Sequence, residues 1–210
     1  MSENSGEKRK RGRPRLDPKR QEEMRKRITD QASKLFKSEG YGAVSLRRLG
    51  KELGVTPMTL YTYFPSKLSI LSKLWNEILD EVFEKITPEL EPQSGARAKL
   101  ETLSSAYVSY WLENRENYHL VFMSSGLSRE DVESFMTESN TSNKFEIFFQ
   151  LVAEIWREDP TGEMIKLKTD QLLCALHGIM HCIITIPGYG WSETDKLIAS
   201  SVAAVLPIPE

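Results

Sequence analysis

Cysteine is nearly missing: two in 210 residues cannot staple a fold, which excludes a disulfide-built secreted domain. Histidine is almost as scarce, with three in the chain. Cys174, His177 and His181 share one predicted helical face, and a His pair four apart is a zinc-binding pattern. At ~1.5 Å of rise per residue, however, Cys174 and His181 lie about 10 Å apart along the axis, too far to share one ion. No cluster of carboxylates or thiols elsewhere completes such a site, so neither metal nor cofactor is expected. Long apolar runs are also lacking. The longest, residues 172–186, holds two His and a Gly and falls short of the ~20 residues that a membrane span requires. The opening MSENSGEKRKRGRPR has no apolar core and does not read as a signal peptide, so a cytoplasmic protein is expected. Strand-like alternation and internal repeats are missing, as are a nucleophile elbow, a phosphate-cradling glycine loop and an HExxH pattern. Gly188-Tyr189-Gly190 is too short to count as such a loop, and no enzyme is expected.

What is present begins with an uneven charge distribution. Residues 1–67 carry 17 Lys and Arg against 8 Asp and Glu, whereas the remaining residues carry 11 against 22, within an overall charge of −2. A basic N-terminal third attracts a polyanion and an acidic remainder repels one. The first 16 residues are almost free of apolar side chains and read as an arm, because they bury too little to offset their ordering entropy.

Helical periodicity organises the rest, and the fold class expected is all-α. A helix over about 18–38 places Met24, Ile28, Ala32, Leu35 and Phe36 on one face. A long helix from Ser66 to about Ile86 carries Leu71, Leu74, Trp75, Ile78, Leu79, Val82, Phe83 and Ile86. Thr87-Pro88 and residues 92–95 break that pattern. Further helices are expected near 96–113, 115–125, 141–157, 163–186 and 192–206, with polar 137–143 as a loop. The division expected is an arm over 1–16, a three-helix DNA-binding unit over 17–65 and a helical unit over 66–210, helix 66–86 connecting the last two.

Residues 45–67, SLRRLGKELGVTPMTLYTYFPSK, are the most specific stretch. Ser45 is a cap for a short helix whose stripe is Leu46, Leu49 and Leu53. Gly54 stands where a left-handed stop is wanted. Thr56 is a second cap and Pro57 suits a first helical turn, where no amide partner is lost. Leu60 and Phe64 face inward with Leu49, Leu53 and Val55, and Pro65 ends the helix before Ser66 caps the next. Two helices this short need a third across them, as in a helix-turn-helix.

At this point the sequence resembles the tetracycline-repressor (TetR) family of bacterial transcription regulators. The run LGVTPMTLYTYFPSK is similar to that family's turn and recognition helix, and Phe36, Glu39-Gly40-Tyr41 and Val44-Ser45 match what precedes it. The close resemblance covers residues 22–75. It implies a homodimer that grips a palindromic operator and releases it when a small-molecule effector binds. Carried over, Arg47 is a base contact, bidentate to guanine. Pro57 and Met58 meet thymine methyls, and Thr62 reads bases. Ser45, Thr56, Thr59, Tyr61, Tyr63 and Lys67 take phosphate positions. Tyr61 and Tyr63 have a second reading, as packing residues. Arg47 and Lys67 read as exposed charges. In the arm, Arg11-Gly12-Arg13-Pro14 is similar to an AT-hook core, with Arg11 and Arg13 for an A·T minor groove.

In the remainder, 110–123 and 174–180 resemble a recurrent TetR C-terminal type. The predicted helix 163–186 has an apolar stripe of Leu172, Leu173, Leu176, Ile179, Met180, Ile183 and Ile184, and a second stripe of Cys174, His177, Gly178, His181 and Thr185. Two such stripes predict a sandwiched helix, with Gly178 under a close neighbour. The last helix is expected to start at Ser192 with Asp195 completing its cap. Helices near 163–186 and 192–206 are the expected dimer surface. Tyr107, Trp111, Phe122, Met123, Trp156 and His177 are the expected effector lining, each also readable as core. Competing readings are an architectural DNA-binding protein without effector and an enzyme using the same interior.

Overall fold

The computed structural model describes residues 17–138 and 141–207, and Arg11 and Arg13 lie outside them. Among the described residues every regular element is helical, as the periodicity required. In chain order these are α1 (Pro18–Glu39), α2 (Leu46–Leu53), α3 (Pro57–Tyr61), α4 (Lys67–Leu90), α5 (Ala96–Glu113), α6 (Arg115–Phe122), α7 (Arg129–Glu138), α8 (Thr141–Trp156), α9 (Glu163–Thr185) and α10 (Thr194–Val205).

α1 lies across α2 and α4, and α2 meets α3. Its buried face is Ile28, Ala32, Leu35 and Phe36, which with Leu49, Leu60, Phe64 and the first turns of α4 forms one apolar core. α4 leaves that core and continues against α5, α6 and α8. α5 is the central rod of the C-terminal part, surrounded by α4, α8, α9 and α10. Leu100, Leu103, Tyr107, Val108 and Trp111 on it are fully buried.

Four expectations need correcting. α4 does not stop at Thr87-Pro88 but runs through Pro88 to Leu90. Proline deletes one helical hydrogen bond. Here the loss falls in the last turn, where the buried Leu90 anchors the chain. The segment 129–138 is a helix that the periodicity did not reveal. REDVESFMTE is acidic, and only Phe135 is fully covered, edge-on to Trp75 at 4.7 Å. Its signal is a reciprocal cap: Ser128 N donates to Asp131 Oδ2 at 2.9 Å, and Asp131 N donates to Ser128 Oγ at 3.1 Å. α10 begins at Thr194 behind Glu193, without a side-chain cap, so Ser192 and Asp195 do not form the expected box. A turn closed by Trp191 N on Tyr189 O at 2.7 Å delays the helix. α9 is not sandwiched within the chain: Cys174 and His181 are exposed, and a Cβ at Gly178 would meet nothing within 4 Å.

Candidate functional site

The reading head is assembled by local chemistry. Ser45 is extended, and its hydroxyl accepts from Arg48 N at 3.1 Å, starting α2. Gly54 stops α2 in the left-handed region at φ 68°, where an L side chain is strained. Gly50 is a requirement that spacing did not reveal. A Cβ there would stand 2.8 Å from Val55 O, because the turn crosses back over α2. Thr56 then caps α3, its Oγ1 accepting from Thr59 N at 3.2 Å, and Pro57 occupies the first turn.

α3 is shorter than the predicted 57–64 span. It ends at Tyr61, and Tyr63 N and Phe64 N close further turns on Leu60 O. Leu60 and Phe64 are buried, while Leu53 and Val55 are half-buried at the edge of the core. Met58 at 74 % and Tyr61 at 51 % exposure project outward, beside exposed Thr62. Thr59 and Tyr63 are half-buried. A shallow groove of about 590 Å³ runs from Gly42 and Arg47 past Pro57 and Tyr61 to Lys67. Arg47 is exposed on its rim and makes no hydrogen bond or ion pair to the described residues, so its guanidinium is available. Its neighbour Arg48 is not, being held by Glu52 and, at 3.2 Å, by Glu39.

Lys67 departs from the expectation of an exposed charge. Its Nζ donates to Tyr41 O at 2.8 Å and to Val44 O at 2.9 Å and lies 3.9 Å from the centre of the Tyr41 ring. Partial burial lowers its pKa. The ammonium serves two carbonyls of the α1–α2 turn and so fixes the start of α4 to the loop that presents Ser45 and Arg47.

The six residues expected to line an interior site divide. Tyr107 Oη and His177 Nε2 are 3.1 Å apart, Tyr107 and Trp111 rings lie at 6.1 Å, and Phe122 touches both Trp111 at 5.0 Å and His177 at 4.8 Å. These four belong to one cluster. Burial pushes the Tyr107 hydroxyl pKa up and takes His177 down to about 4, so the imidazole is neutral near pH 7. Met123 is not in the cluster: it faces a cleft of about 280 Å³ between α1 and α6, beside Lys37, Tyr41 and His119. Trp156 is elsewhere too, its Nε1 donating to Val205 O at 3.0 Å under α10. Helical spacing marks an apolar face but does not say which neighbouring element that face meets.

Two polar atoms in the α5 core lack a hydrogen-bond partner, Ser104 Oγ and Trp111 Nε1, in residues that are 0 % exposed. The Trp111 indole acts to lower the Tyr107 hydroxyl pKa, yet the pair does not meet hydrogen-bond geometry.

The reading head and this cluster are mechanically joined. Phe122 ends α6, whose Leu120 O accepts from the buried Trp75 Nε1 of α4 at 2.8 Å. Beyond α6, Gly126 has φ +84°, and a Cβ there would stand 3.2 Å from Gly42 Cα in the α1–α2 turn.

The fold is thus a helix-turn-helix unit joined through α4 to a helical bundle. Residues 28–74 match the family described as bacterial regulatory proteins, tetR family. That match covers the helix-turn-helix unit, from Ile28 of α1 to Leu74 of α4. Over 85 residues it is 33% identical to the uncharacterized HTH-type transcriptional regulator YuxN of Bacillus subtilis (strain 168), covering 39% of this chain and 29% of that protein. Over 56 residues it is 43% identical to the HTH-type transcriptional repressor KstR of Rhodococcus jostii (strain RHA1), covering 27% of this chain and 26% of that one. The matches thus span less than a third of either relative. The fold is similar to the Bacillus subtilis transcriptional regulator FadR, solved with stearoyl-CoA, at TM-score 0.68 and 16% identity, over 88% of this chain and 97% of that one. Among the described residues no helix is long and apolar enough to cross a membrane.

Proposed function

We propose that this chain is a homodimeric, sequence-specific transcription repressor of the cytoplasm that leaves a palindromic operator when a small molecule enters the α5–α9 interior. The observation that carries the reading is the α2–α3 surface. Arg47, Met58, Tyr61 and Thr62 lie outward and exposed, while Ser45 and Thr56 orient the two helix N-termini beside them. A helix N-terminus favours phosphate, an unpaired arginine matches guanine, and an exposed methionine suits a thymine methyl. In this reading Pro57, Met58, Arg47 and Thr62 meet bases, and Ser45, Thr56, Thr59, Tyr61 and Tyr63 meet phosphate. Lys67 holds the loop in place, and Arg11 and Arg13 reach an adjacent minor groove.

One such head is too small for useful specificity, so a twofold partner is required. The outer face of α9, with exposed Met164, Leu167, Cys174 and Gly178, and the small Ala199 and Ala203 of α10 suit a close helix pairing between copies. Release follows from the linkage already described: a molecule that moves Phe122 moves α6, and through Leu120 O and Trp75 it moves α4.

The test is selection from random duplexes at low salt with the purified chain, followed by sedimentation of the complex. A palindrome with half-sites about 34 Å apart, or a multiple of that, bound by two chains, is the expected result. Failure to enrich any duplex, or a single chain on DNA, would overturn the reading.

A further inference from the structure

The fully buried Ser104 Oγ and Trp111 Nε1 both lack a hydrogen-bond partner. Native interiors seldom leave such atoms unpaired, because each forfeits its bonds to water and gains none in return. The two residues stand seven apart on α5, on the same side of the helix, with Tyr107 between them. Around them the surfaces are rings: Phe83, Phe145 and Phe148 pack on Tyr107, and Phe122 packs on Trp111. Among the described residues the ring contacts of Tyr107, Trp111 and Phe122 are to other rings, His177 included, and none is to Lys, Arg, Asp or Glu. Lys144, next in sequence to Phe145, is paired with Asp80.

A way in is visible. Phe122 is 39 % exposed, yet its ring lies on both buried Trp111 and His177. It is the one aromatic of the cluster that reaches from solvent to the unpaired indole. A rotation about its first side-chain torsion vacates a ring-sized volume beside Trp111 without dismantling the core.

We propose that the effector is an uncharged, ring-bearing molecule with an oxygen acceptor, whose ring takes the place of Phe122 and whose oxygen accepts the Trp111 indole N–H. This rests on the effector-release reading above and assigns that effector a chemical class. The indole nitrogen is a donor only, so it selects a carbonyl, ether or hydroxyl oxygen. The ring-lined site holds no permanent cation, and burial opposes protonation of its one imidazole, His177, so the cost of desolvating a carboxylate is not repaid. Displacement of Phe122 is at once the binding event and the push on α6.

The test uses the full chain and two probes matched in shape, 2-acetonaphthone and 2-naphthoate, with stearoyl-CoA as a third. Calorimetry is expected to give the ketone at least about tenfold tighter binding than the carboxylate. Trp111→Phe is expected to weaken the ketone about fivefold or more, as loss of one hydrogen bond implies. Should that variant not fold, the wild-type chain still answers. Its Trp111 indole N–H resonance, assigned by elimination with Trp75→Phe, Trp156→Phe and Trp191→Phe, must move on ketone addition. Equal or tighter binding of 2-naphthoate, an unmoved indole resonance, or no ketone binding would overturn the proposal. If stearoyl-CoA frees the operator and the ketone does not, the chemical class is wrong and effector release stands. If a broad compound screen frees nothing from a DNA-competent chain, effector release itself fails.

Discussion

Replacing Lys67 by methionine separates two roles that the sequence alone confounds. Methionine keeps most of the apolar stem and deletes the ammonium, which donates to Tyr41 O and Val44 O and lies over the Tyr41 ring. Each bond from a charged donor is worth ~1.5–3 kcal/mol. The ring contact adds ~0.5–1 kcal/mol at a partly exposed site. Against this stands the relief of no longer holding a partly desolvated cation, whose cost is visible in its lowered pKa. The net expectation is a loss of ~2–3 kcal/mol in urea unfolding. Operator affinity should fall too, because Ser45 and Arg47 lose their anchored loop. The slope of log affinity against log salt should stay the same. A direct phosphate contact behaves differently, since its removal lowers that slope by ~0.9. A slope reduced by that amount with stability unchanged would refute the positioning role and restore the contact that the family resemblance implied.

Other perturbations address the remaining elements. Arg47→Ala should relax preference at one operator base pair by ~1–3 kcal/mol, read by competition with single-base variants. Deleting residues 1–15 should flatten the salt dependence of binding, and an unchanged slope would show that the arm does not touch DNA. Burial takes His177 down to about 4 from its ordinary 6.5, so the unfolded chain binds the extra proton between these values. Stability is therefore complete above pH 6.5 and declines as pH falls toward 4. Going from pH 7 to pH 5 should cost ~2 kcal/mol, and His177→Phe should remove that dependence in urea titrations at the two pH values. Trp75→Phe should cost only ~1–2 kcal/mol, because Ser124 Oγ still donates to Leu120 O at 2.7 Å. It should nevertheless blunt effector-driven release in a DNA-binding assay, since α4 and α6 lose their shared bond.

The parts of this molecule legible in its sequence are those set by neighbours in the chain. Caps at Ser45, Thr56 and Ser66 and the stop at Gly54 require residues within a turn of each other, and all four stand where local chemistry puts them. The apolar stripes of α1 and α4 were legible for the same reason. What the residues did not disclose depends on distant partners. Lys67 finds its acceptors 23 and 26 positions away, so an isolated reading leaves it as a free charge. Gly50 is forced by a carbonyl returning after the turn, which has no local trace. Within the interior, Tyr107 and His177 meet across 70 residues, whereas Trp156, with the same residue-type credentials, turned toward α10. Pro88 misled because a breaker in the last turn costs little when the next apolar side chain is already anchored.

The backbone meeting of Gly42 and Gly126 bears on how such a regulator can be re-engineered. At this one point the two backbones meet directly, Gly126 against Gly42 Cα. A chimera that grafts this reading head onto a foreign sensor must carry a glycine at the far side of the seam, held at positive φ. Otherwise an added methyl would strain the backbone at that φ and press on Gly42 Cα, shifting the seam by a few tenths of an ångström.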